Sequence, residues 1–367
     1  MRILLFGEYS NVHWALAQGL RALGHEVTVV SDGDAWKGYK RDIDLRRRSL
    51  GKWDTLRYLW QLKRLMPRLR DYDVVQLINP VFLDLRAERI LPYYRQLRRQ
   101  NRSIFMGAFG MDKYWVKVCL DCKTFRYSDF NLGSEIRHSE YNDICIADWL
   151  HGPKGELNDI IAQDCNGIVS GLYEYEMCYR PYFADKLQYI PFPIEIQEAT
   201  PRPTSLPLHF FIGIQPSRNA YKGTDVMYRA LQRLQASHPD LVVVEKAENV
   251  PFQIYQEMVG RSDILLDQLY SYTPAMNGLL AMSKGLVIVG GGEEEHYQLL
   301  GEDTLRPIIN VQPDEEDVYR QLESIVLHAD PASHIDRLKQ ESIAYVKRHH
   351  DHIKVAQRYL DYWKSRM

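Results

Sequence analysis

Two stretches of this sequence carry residues whose types and spacing suit anion chemistry. In GIQPSRNAYKGTDVMYRAL, at 213–231, an apolar run ends at Gly213 and a polar loop then offers Arg218 and Lys222. A helix is expected to start near Gly223, with Thr224 available to cap it. Two cations beside a helix N-terminus can hold a diphosphate through charge-assisted hydrogen bonds and the helix dipole. The plain alternative is a solvated loop with two surface cations. In SDILLDQLYSYTPAMNGLLAMSKGLVIVGGGEEE, at 262–295, a strand leads into a loop and a second helix start, which brings Tyr272, Thr273 and Asn277 to one rim. Backbone N–H groups there can bind phosphate and Asn277 can bond ribose or sugar hydroxyls, unless this is simply a well-capped core helix. Gly290, Gly291 and Gly292 permit close backbone approach, and Glu293 to Glu295 read either as ligand groups or as an acidic cluster at a helix start.

A second set lies near the N-terminus. FGEYSNVHW, at 6–14, follows the first apolar run and offers Gly7, Glu8, Ser10, Asn11 and His13. GAFGMDKYW, at 107–115, follows another such run, and Asp112 is the carboxylate placed there to act on a ligand, or else to cap its loop. His13 is the accompanying candidate catalytic residue, or a helix-surface histidine without a role. Only Gly7 is present where a dinucleotide fingerprint needs G-x-G-x-x-G, which argues against a nicotinamide dehydrogenase. Cys119 and Cys122 form one C-x-x-C with no second pair to complete a zinc site, so buried, reduced thiols are expected and no metal is assigned.

The elements that must position these residues alternate between short continuous apolar runs and helical spacing, the mark of parallel sheets covered by helices on both faces. ILLF, EVTVV, DVVQLI and SIFMG read as the first four strands, with a helix at about 12–23 ended by Gly24. The pattern dissolves at 111–158, read as an insertion, and returns at GIVSG and LQYIPFP. After the proline-rich EIQEATPRPTSLP, a second alternation runs through HFFIGI, LVVVE, DILLDQL, LVIVGG and PIINV, with helices at about 223–236, 252–260 and from 275. Three terminal helices are expected at about 314–329, 332–349 and 351–365, the last carrying Tyr359, Tyr362 and Trp363. The division is therefore 1–195 as a first α/β domain, 196–206 as linker, 207–349 as a second α/β domain, and 350–367 as a helix crossing back to the first. Two such sheets place a shared ligand site in the cleft that their strands' carboxyl ends face.

Bulk properties agree. A chain of 367 residues, 45% hydrophobic and 26% charged, is long enough for two cores. Its 46 basic and 48 acidic side chains leave a net charge of −2, which gives no global field for nucleic acid or anionic lipid. The opening MRILLFGEYS is too short for a signal peptide or a membrane span, so a cytoplasmic location is expected and a periplasmic sugar receptor is not. YLWQLKRLMPRLR, at 58–70, sets Trp60, Leu62, Leu65 and Leu69 among Lys63, Arg64, Arg68 and Arg70, compatible with a helix lying on a membrane surface or with an ordinary amphipathic helix.

The stretch from HFFIGI to LVIVGGGEEE resembles the donor domain of GT-B glycosyltransferases, especially the retaining enzymes of glycosyltransferase family 4, also called group 1. Arg218 and Lys222 stand in the "R…KG" phosphate position, and SDILLDQ in that of the strand before the sugar loop. LLAMSKGLVIVGG stands for the "EAMA.G.PVI" block, and YIPFPIE at 189–195 for the "IPNGVD" turn. The resemblance implies a GT-B fold, two Rossmann-like doubly wound domains facing a cleft. It also implies transfer of a sugar from a nucleotide-diphosphate donor to a glycan or lipid-linked acceptor, as in surface-polysaccharide synthesis. By the same resemblance the loop with Gly7, Glu8, Ser10 and Asn11 lies on the acceptor side. Arg218, Lys222, Gly223, Tyr272, Thr273, Asn277 and Glu293 bind the donor, and neither metal nor cofactor is needed. One departure stands out: two glutamates eight positions apart in the family correspond here to Tyr272 and Leu280, neither a carboxylate. Asp267, Asn277 or a glutamate of GGGEEE would then substitute. A nucleotide-sugar epimerase of the same architecture, or a non-catalytic sugar- or nucleotide-binding relative, are the alternatives.

Overall fold

Continuous apolar runs bury both faces of a strand, and the two large sheets of this chain are accordingly parallel throughout, with helices as crossovers. The computed structural model describes residues 1–196, 198 and 200–367. Positions 197 and 199 of the expected linker thus lie outside the described residues. The chain forms two units, one of 1–117, 145–195 and 350–367 and the other of 118–144 and 196–349.

In the first unit the strands lie side by side in the order Ile43–Asp44, Glu26–Ser31, Arg2–Phe6, Val74–Leu77, Ser103–Ala108, Gly167–Ser170 and Leu187–Tyr189. The chain winds outward from Arg2–Phe6 in one direction and then resumes on its other side at Val74–Leu77. That pair is the topological switch point. Ile3, Leu4, Leu5 and Phe6 are fully buried. Helix Val12–Ala22 packs on the terminal helix His352–Ser365, and Gly19 makes the approach possible: a Cβ there would stand 2.1 Å from the His352 carbonyl oxygen. The terminal helix is further fixed by Trp363, whose indole N–H donates to Gln76 Oε1 at 3.3 Å, and by Tyr362, whose hydroxyl donates to the Lys186 carbonyl at 2.6 Å.

In the second unit the order is Val242–Glu248, Leu208–Ile214, Ile264–Leu266, Val287–Gly290 and Ile309–Asn310, the 2-1-3-4-5 winding with its switch point beside Leu208–Ile214. Phe210, Ile212, Ile264, Leu266, Val287 and Val289 form its core with Met227, Leu231 and Leu234 of helix Thr224–Ser237 and Leu322 of helix Glu315–Val326. A buried ion pair, Lys339 Nζ to Asp263 Oδ1 at 2.7 Å, ties helix Pro331–His349 to the amino end of the central strand.

The insertion expected at 111–158 does not behave as one piece. It forms helices Lys113–Cys119, Glu140–Leu150 and Pro153–Asp164 and a small antiparallel pair, Asn131–Leu132 with Glu135–Ile136. Its middle, 118–144, belongs to the second unit. The physical reason is a set of side chains that find their partners there. Arg126 and Tyr127 bond Glu293, at 2.7 and 2.5 Å, and the Tyr221 hydroxyl donates to Asp129 at 2.5 Å.

Candidate functional site

A helix past the carboxyl end of a switch-point strand presents backbone N–H groups to a ligand. In the first unit this is Val12–Ala22, and in the second Thr224–Ser237, reached through two short helical turns, Pro216–Arg218 and Asn219–Lys222, that hold Arg218 and Lys222 where the sequence suggested a loop. The two units fill that position differently.

In the first unit the position is closed by the chain itself. Glu8, almost fully buried, accepts the His13 N–H at 3.2 Å on one carboxylate oxygen and the Trp14 N–H at 2.9 Å on the other. It therefore caps the helix that follows. Burial raises its pKa to about 8, against the opposing pull of the Trp14 and His13 N–H groups. His13 is fully buried; its Nδ1–H donates to the Gly7 carbonyl at 2.8 Å, which makes Nε2 the bare acceptor. Among the described residues Nε2 has no hydrogen-bond partner. Burial lowers the histidine pKa to about 3, with the Gly7 carbonyl pulling the other way, so the ring is neutral. Gly7 is obligatory: its φ is +89° and a Cβ would meet Ile78 Cγ2 at 2.2 Å. Ser10 and Asn11 are held at φ of 52° and 74°, and Asp34 and Ala35 at 58° and 55°. Asp34 Oδ2 accepts the Ser10 N–H at 2.9 Å, and Lys37 Nζ donates to Asp34 Oδ2 at 2.6 Å and to Ser10 Oγ at 3.1 Å. Four non-glycine residues in the left-handed region on two touching loops is strain of the kind that collects at ligand sites.

Asp112, expected to act on a ligand, does something else. It is fully buried, caps helix Lys113–Cys119 by accepting the Trp115 N–H at 2.9 Å, and accepts the Tyr179 hydroxyl at 2.8 Å. Burial raises its pKa to about 7 despite those two donors. Both oxygens are engaged and the group is sealed, so the capping role prevails.

In the second unit the switch-point helix Thr224–Ser237 has no side-chain cap, and the acid of its first turn, Asp225, pairs with Arg229 at 3.4 Å. Gly223 precedes it at φ +72°, where a Cβ would stand 2.6 Å from Tyr270 Cε2 and 2.7 Å from Leu269 Cβ. Only glycine allows the turn to lie this close. Thr224 is turned inward and donates to Asn219 Oδ1 at 2.6 Å, so the cap expected of it is not made. Arg218 is exposed and its guanidinium reaches the Tyr141 hydroxyl at 3.1 Å. The Lys222 backbone carbonyl accepts the Leu269 N–H at 2.9 Å, and its ammonium acts on Asp267. Asp267 sits just past the central strand, and burial raises its pKa while the charge of Lys222 opposes the rise. Its Oδ1 accepts Asn277 Nδ2 at 3.4 Å and its buried Oδ2 has no hydrogen-bond partner among the described residues. Gly278 and Gly290 keep the surroundings open, since a Cβ on Gly278 would stand 3.0 Å from Oδ2. The exposed Asn277 also accepts the Tyr255 hydroxyl, at 3.1 Å. Lys222, Asp267, Asn277 and Tyr255 thus form one polar group, of which the sequence had singled out Lys222 and Asn277 and offered Asp267 only as a substitute.

Tyr272, Thr273 and Glu293 are separate from it. Tyr272 and Thr273 are buried, and the Tyr272 hydroxyl accepts the Arg126 N–H at 2.8 Å while its ring lies 4.9 Å from that of Tyr127. Glu293 is held by Tyr127, Gln312 at 2.7 Å, Asn310 at 3.0 Å and Arg126. Burial alone would raise its pKa, but these donors outweigh it and hold the carboxylate ionised. All its acceptor capacity goes to protein groups, so it stabilises the 118–144 segment rather than meeting a donor. Sequence reasoning had marked that segment as part of an insertion and missed its partners. Arg137 stacks 3.3 Å over the Tyr270 ring and donates to the carbonyls of Ala220 and Tyr221, at 2.5 and 3.4 Å, which fixes the loop bearing Arg218 and Lys222. Cys119 and Cys122 are free thiols.

No family model matches the sequence, and a search of curated proteins finds no match either. Solved structures do match, along the whole chain. Sucrose-phosphate synthase of Thermosynechococcus elongatus has a TM-score of 0.61 at 12% identity, covering 100% of this chain and 98% of its own. HepE of Anabaena, solved with UDP and glucose, gives 0.60 at 11%, and the lipopolysaccharide outer core galactosyltransferase WaaB 0.52 at 14%, each covering 100% of both chains. At such identities the likeness is one of fold, and the fold of this chain is GT-B, that of these glycosyltransferases.

Proposed function

We propose that the protein is a glycosyltransferase that moves a sugar from a nucleoside-diphosphate donor to a glycan or lipid-linked acceptor. The observation that carries this reading is the switch-point segment of the second unit: Arg218 and Lys222 precede a helix N-terminus with no side-chain cap, whereas Glu8 caps the corresponding helix in the first. In the reaction the bond from the anomeric carbon to the diphosphate oxygen breaks as an acceptor hydroxyl adds and loses its proton. Lys222, Arg218 and the N–H groups of helix Thr224–Ser237 would take up the charge that develops on the leaving diphosphate. Asp267 Oδ2 is a bare acceptor suited to a ribose or sugar hydroxyl, the contact for which Tyr272 and Leu280 supply no carboxylate. HepE, solved with UDP and glucose, and WaaB, a lipopolysaccharide galactosyltransferase, support a hexose donor and a surface-polysaccharide acceptor. A cytoplasmic location and a reaction without metal or cofactor complete the reading.

Thermal shift and calorimetry against UDP, ADP, GDP, CMP and dTDP, with and without magnesium, test it. One nucleoside diphosphate should stabilise the protein without metal, and Lys222→Ala should weaken its binding by about tenfold or more. Binding unaffected by Lys222→Ala and Arg218→Ala refutes the site. The missing carboxylates at 272 and 280 favour a second reading, a binding protein without turnover. It predicts tight nucleotide binding and no release of nucleoside diphosphate from any donor and acceptor pair, while sugar epimerised in the absence of acceptor would mark an epimerase.

A further inference from the structure

The sequence set Trp60, Leu62, Leu65 and Leu69 among cations, compatible with a helix on a membrane surface, and the structure sorts these four onto different sides. Leu62 and Leu69 are buried, with Tyr58 and Met66, on the inner side of helix Lys52–Leu65 and the turn that follows it. The apolar residues left outside are Leu50, Trp53, Leu56 and Trp60, at 82, 85, 58 and 59% exposure. Trp53, Leu56 and Trp60 recur at the spacing of one helix face. Arg57, Arg64 and Arg68 continue that stripe, and the Arg64 guanidinium lies 4.4 Å over the Trp60 ring. Trp60, Arg64 and Arg68 also line a cavity of about 170 Å³ with Ile43, Gln61 and Leu65.

The charge of this stretch is opposite to that of the chain. Residues 46–70 contain nine Lys or Arg and a single acid, Asp54, in a protein whose net charge is −2. Arg46, Arg48, Lys52, Arg57, Lys63, Arg64 and Arg68 form no salt bridge among the described residues. Among those residues no helix is long and apolar enough to cross a membrane. A surface that combines exposed tryptophan and leucine with unpaired cations matches the boundary between anionic headgroups and acyl chains, which takes up both kinds of group. Nucleic acid would use the cations but gives the leucines nothing to bury.

We propose that helix Lys52–Leu65 docks the protein on an anionic phospholipid bilayer, with Trp53, Leu56 and Trp60 at the acyl boundary and a lipid phosphate between Arg64 and Arg68. The proposal stands apart from the transfer activity. Co-sedimentation of the full chain with vesicles of phosphatidylcholine alone, and of phosphatidylcholine mixed with phosphatidylglycerol, tests it. Binding should occur only to the mixed vesicles and fall as salt rises. Brominated lipid should quench tryptophan fluorescence, and Trp53→Ser with Trp60→Ser should remove that quenching. That pair, and separately Arg64→Gln with Arg68→Gln, should each weaken binding by about tenfold or more, with melting temperatures unchanged because the sites are exposed. No vesicle binding, equal binding to neutral vesicles, indifference to both pairs of substitutions, or binding to duplex RNA in place of vesicles would each overturn it.

Discussion

Replacing Glu8 by glutamine separates two descriptions of the first unit's switch point. Burial raises the Glu8 pKa from 4.5 to about 8, so the folded chain holds a proton that the unfolded chain has released. The gap of about 3.5 pH units, at about 1.4 kcal/mol each, is worth about 5 kcal/mol. The sign follows directly. Below pH 4.5 both states are protonated and the contribution is whole; it is lost progressively as pH rises, and is gone above about 8. Glutamine is neutral like the protonated acid and does not titrate, but its amide nitrogen cannot accept one of the two N–H groups, a cost of about 1 to 3 kcal/mol at every pH. Urea denaturation should therefore find the variant less stable than wild type by about that amount near pH 5 and more stable than wild type near pH 9, where ionised Glu8 costs about 5 kcal/mol. Asp112 titrates in the same direction, but it is present in both proteins and cancels in their difference. If instead the variant were less stable by about 1 to 3 kcal/mol at every pH, Glu8 would be an ionised cap holding its two N–H groups as a carboxylate, and burial would not dominate.

Three other outcomes follow from particular contacts. Lys339→Met leaves the fully buried Asp263 with the half-exposed Arg202 at 3.2 Å and the His209 N–H at 3.0 Å, without its buried countercharge, and should cost about 3 to 5 kcal/mol in chemical denaturation. Gly223→Ala combines a left-handed φ with two contacts under 3 Å; it should lower stability by about 1 to 2 kcal/mol and weaken nucleoside diphosphate binding beyond that of an exposed control such as Lys246→Ala. Arg137→Ala frees the carbonyls of Ala220 and Tyr221, and calorimetry should show diphosphate affinity reduced about fivefold or more.

How far the sequence could lead depended on the range of the interaction. The strands were legible because a strand covered on both faces must be apolar along its length, as IVS at 168–170 and VIV at 287–289 are. The loop of Arg218 and Lys222 was legible because strand end, cations, glycine and helix start are neighbours in the chain. Asp112 was ambiguous only in role: an aspartate three residues before Trp115, at a helix start, is also the pattern of a cap. The partners of the 118–144 segment were not legible at all. Arg126 meets Glu293 across 167 positions and Arg137 meets Ala220 across 83, and no periodicity reports on such pairs. The exposed face of helix Lys52–Leu65 was misjudged for a related reason, since hydrophobic spacing finds a stripe but not which stripe has something beneath it.

The two switch points share one construction and differ in what meets the helix N-terminus, and that difference assigns the anion. A helix N-terminus carries partial positive charge that some acceptor must meet. In the first unit Glu8 meets it from within the chain, so a phosphate there would have to displace a buried, hydrogen-bonded carboxyl. In the second unit Asp225, in the first turn of the helix, pairs with Arg229, while Glu293 is held by four donors and Asp267 Oδ1 by Asn277 with Lys222 facing it. The additional cations there are engaged as well, Arg126 on glutamates and Arg137 on backbone carbonyls. Arg218, on the Tyr141 hydroxyl, and Lys222, facing Asp267, come just before the uncapped helix in the chain, and a ligand with two phosphates can engage both cations and helix N–H groups at once. Discrimination between nucleoside diphosphate and monophosphate is therefore a property of this loop, and it should shrink in Arg218→Ala.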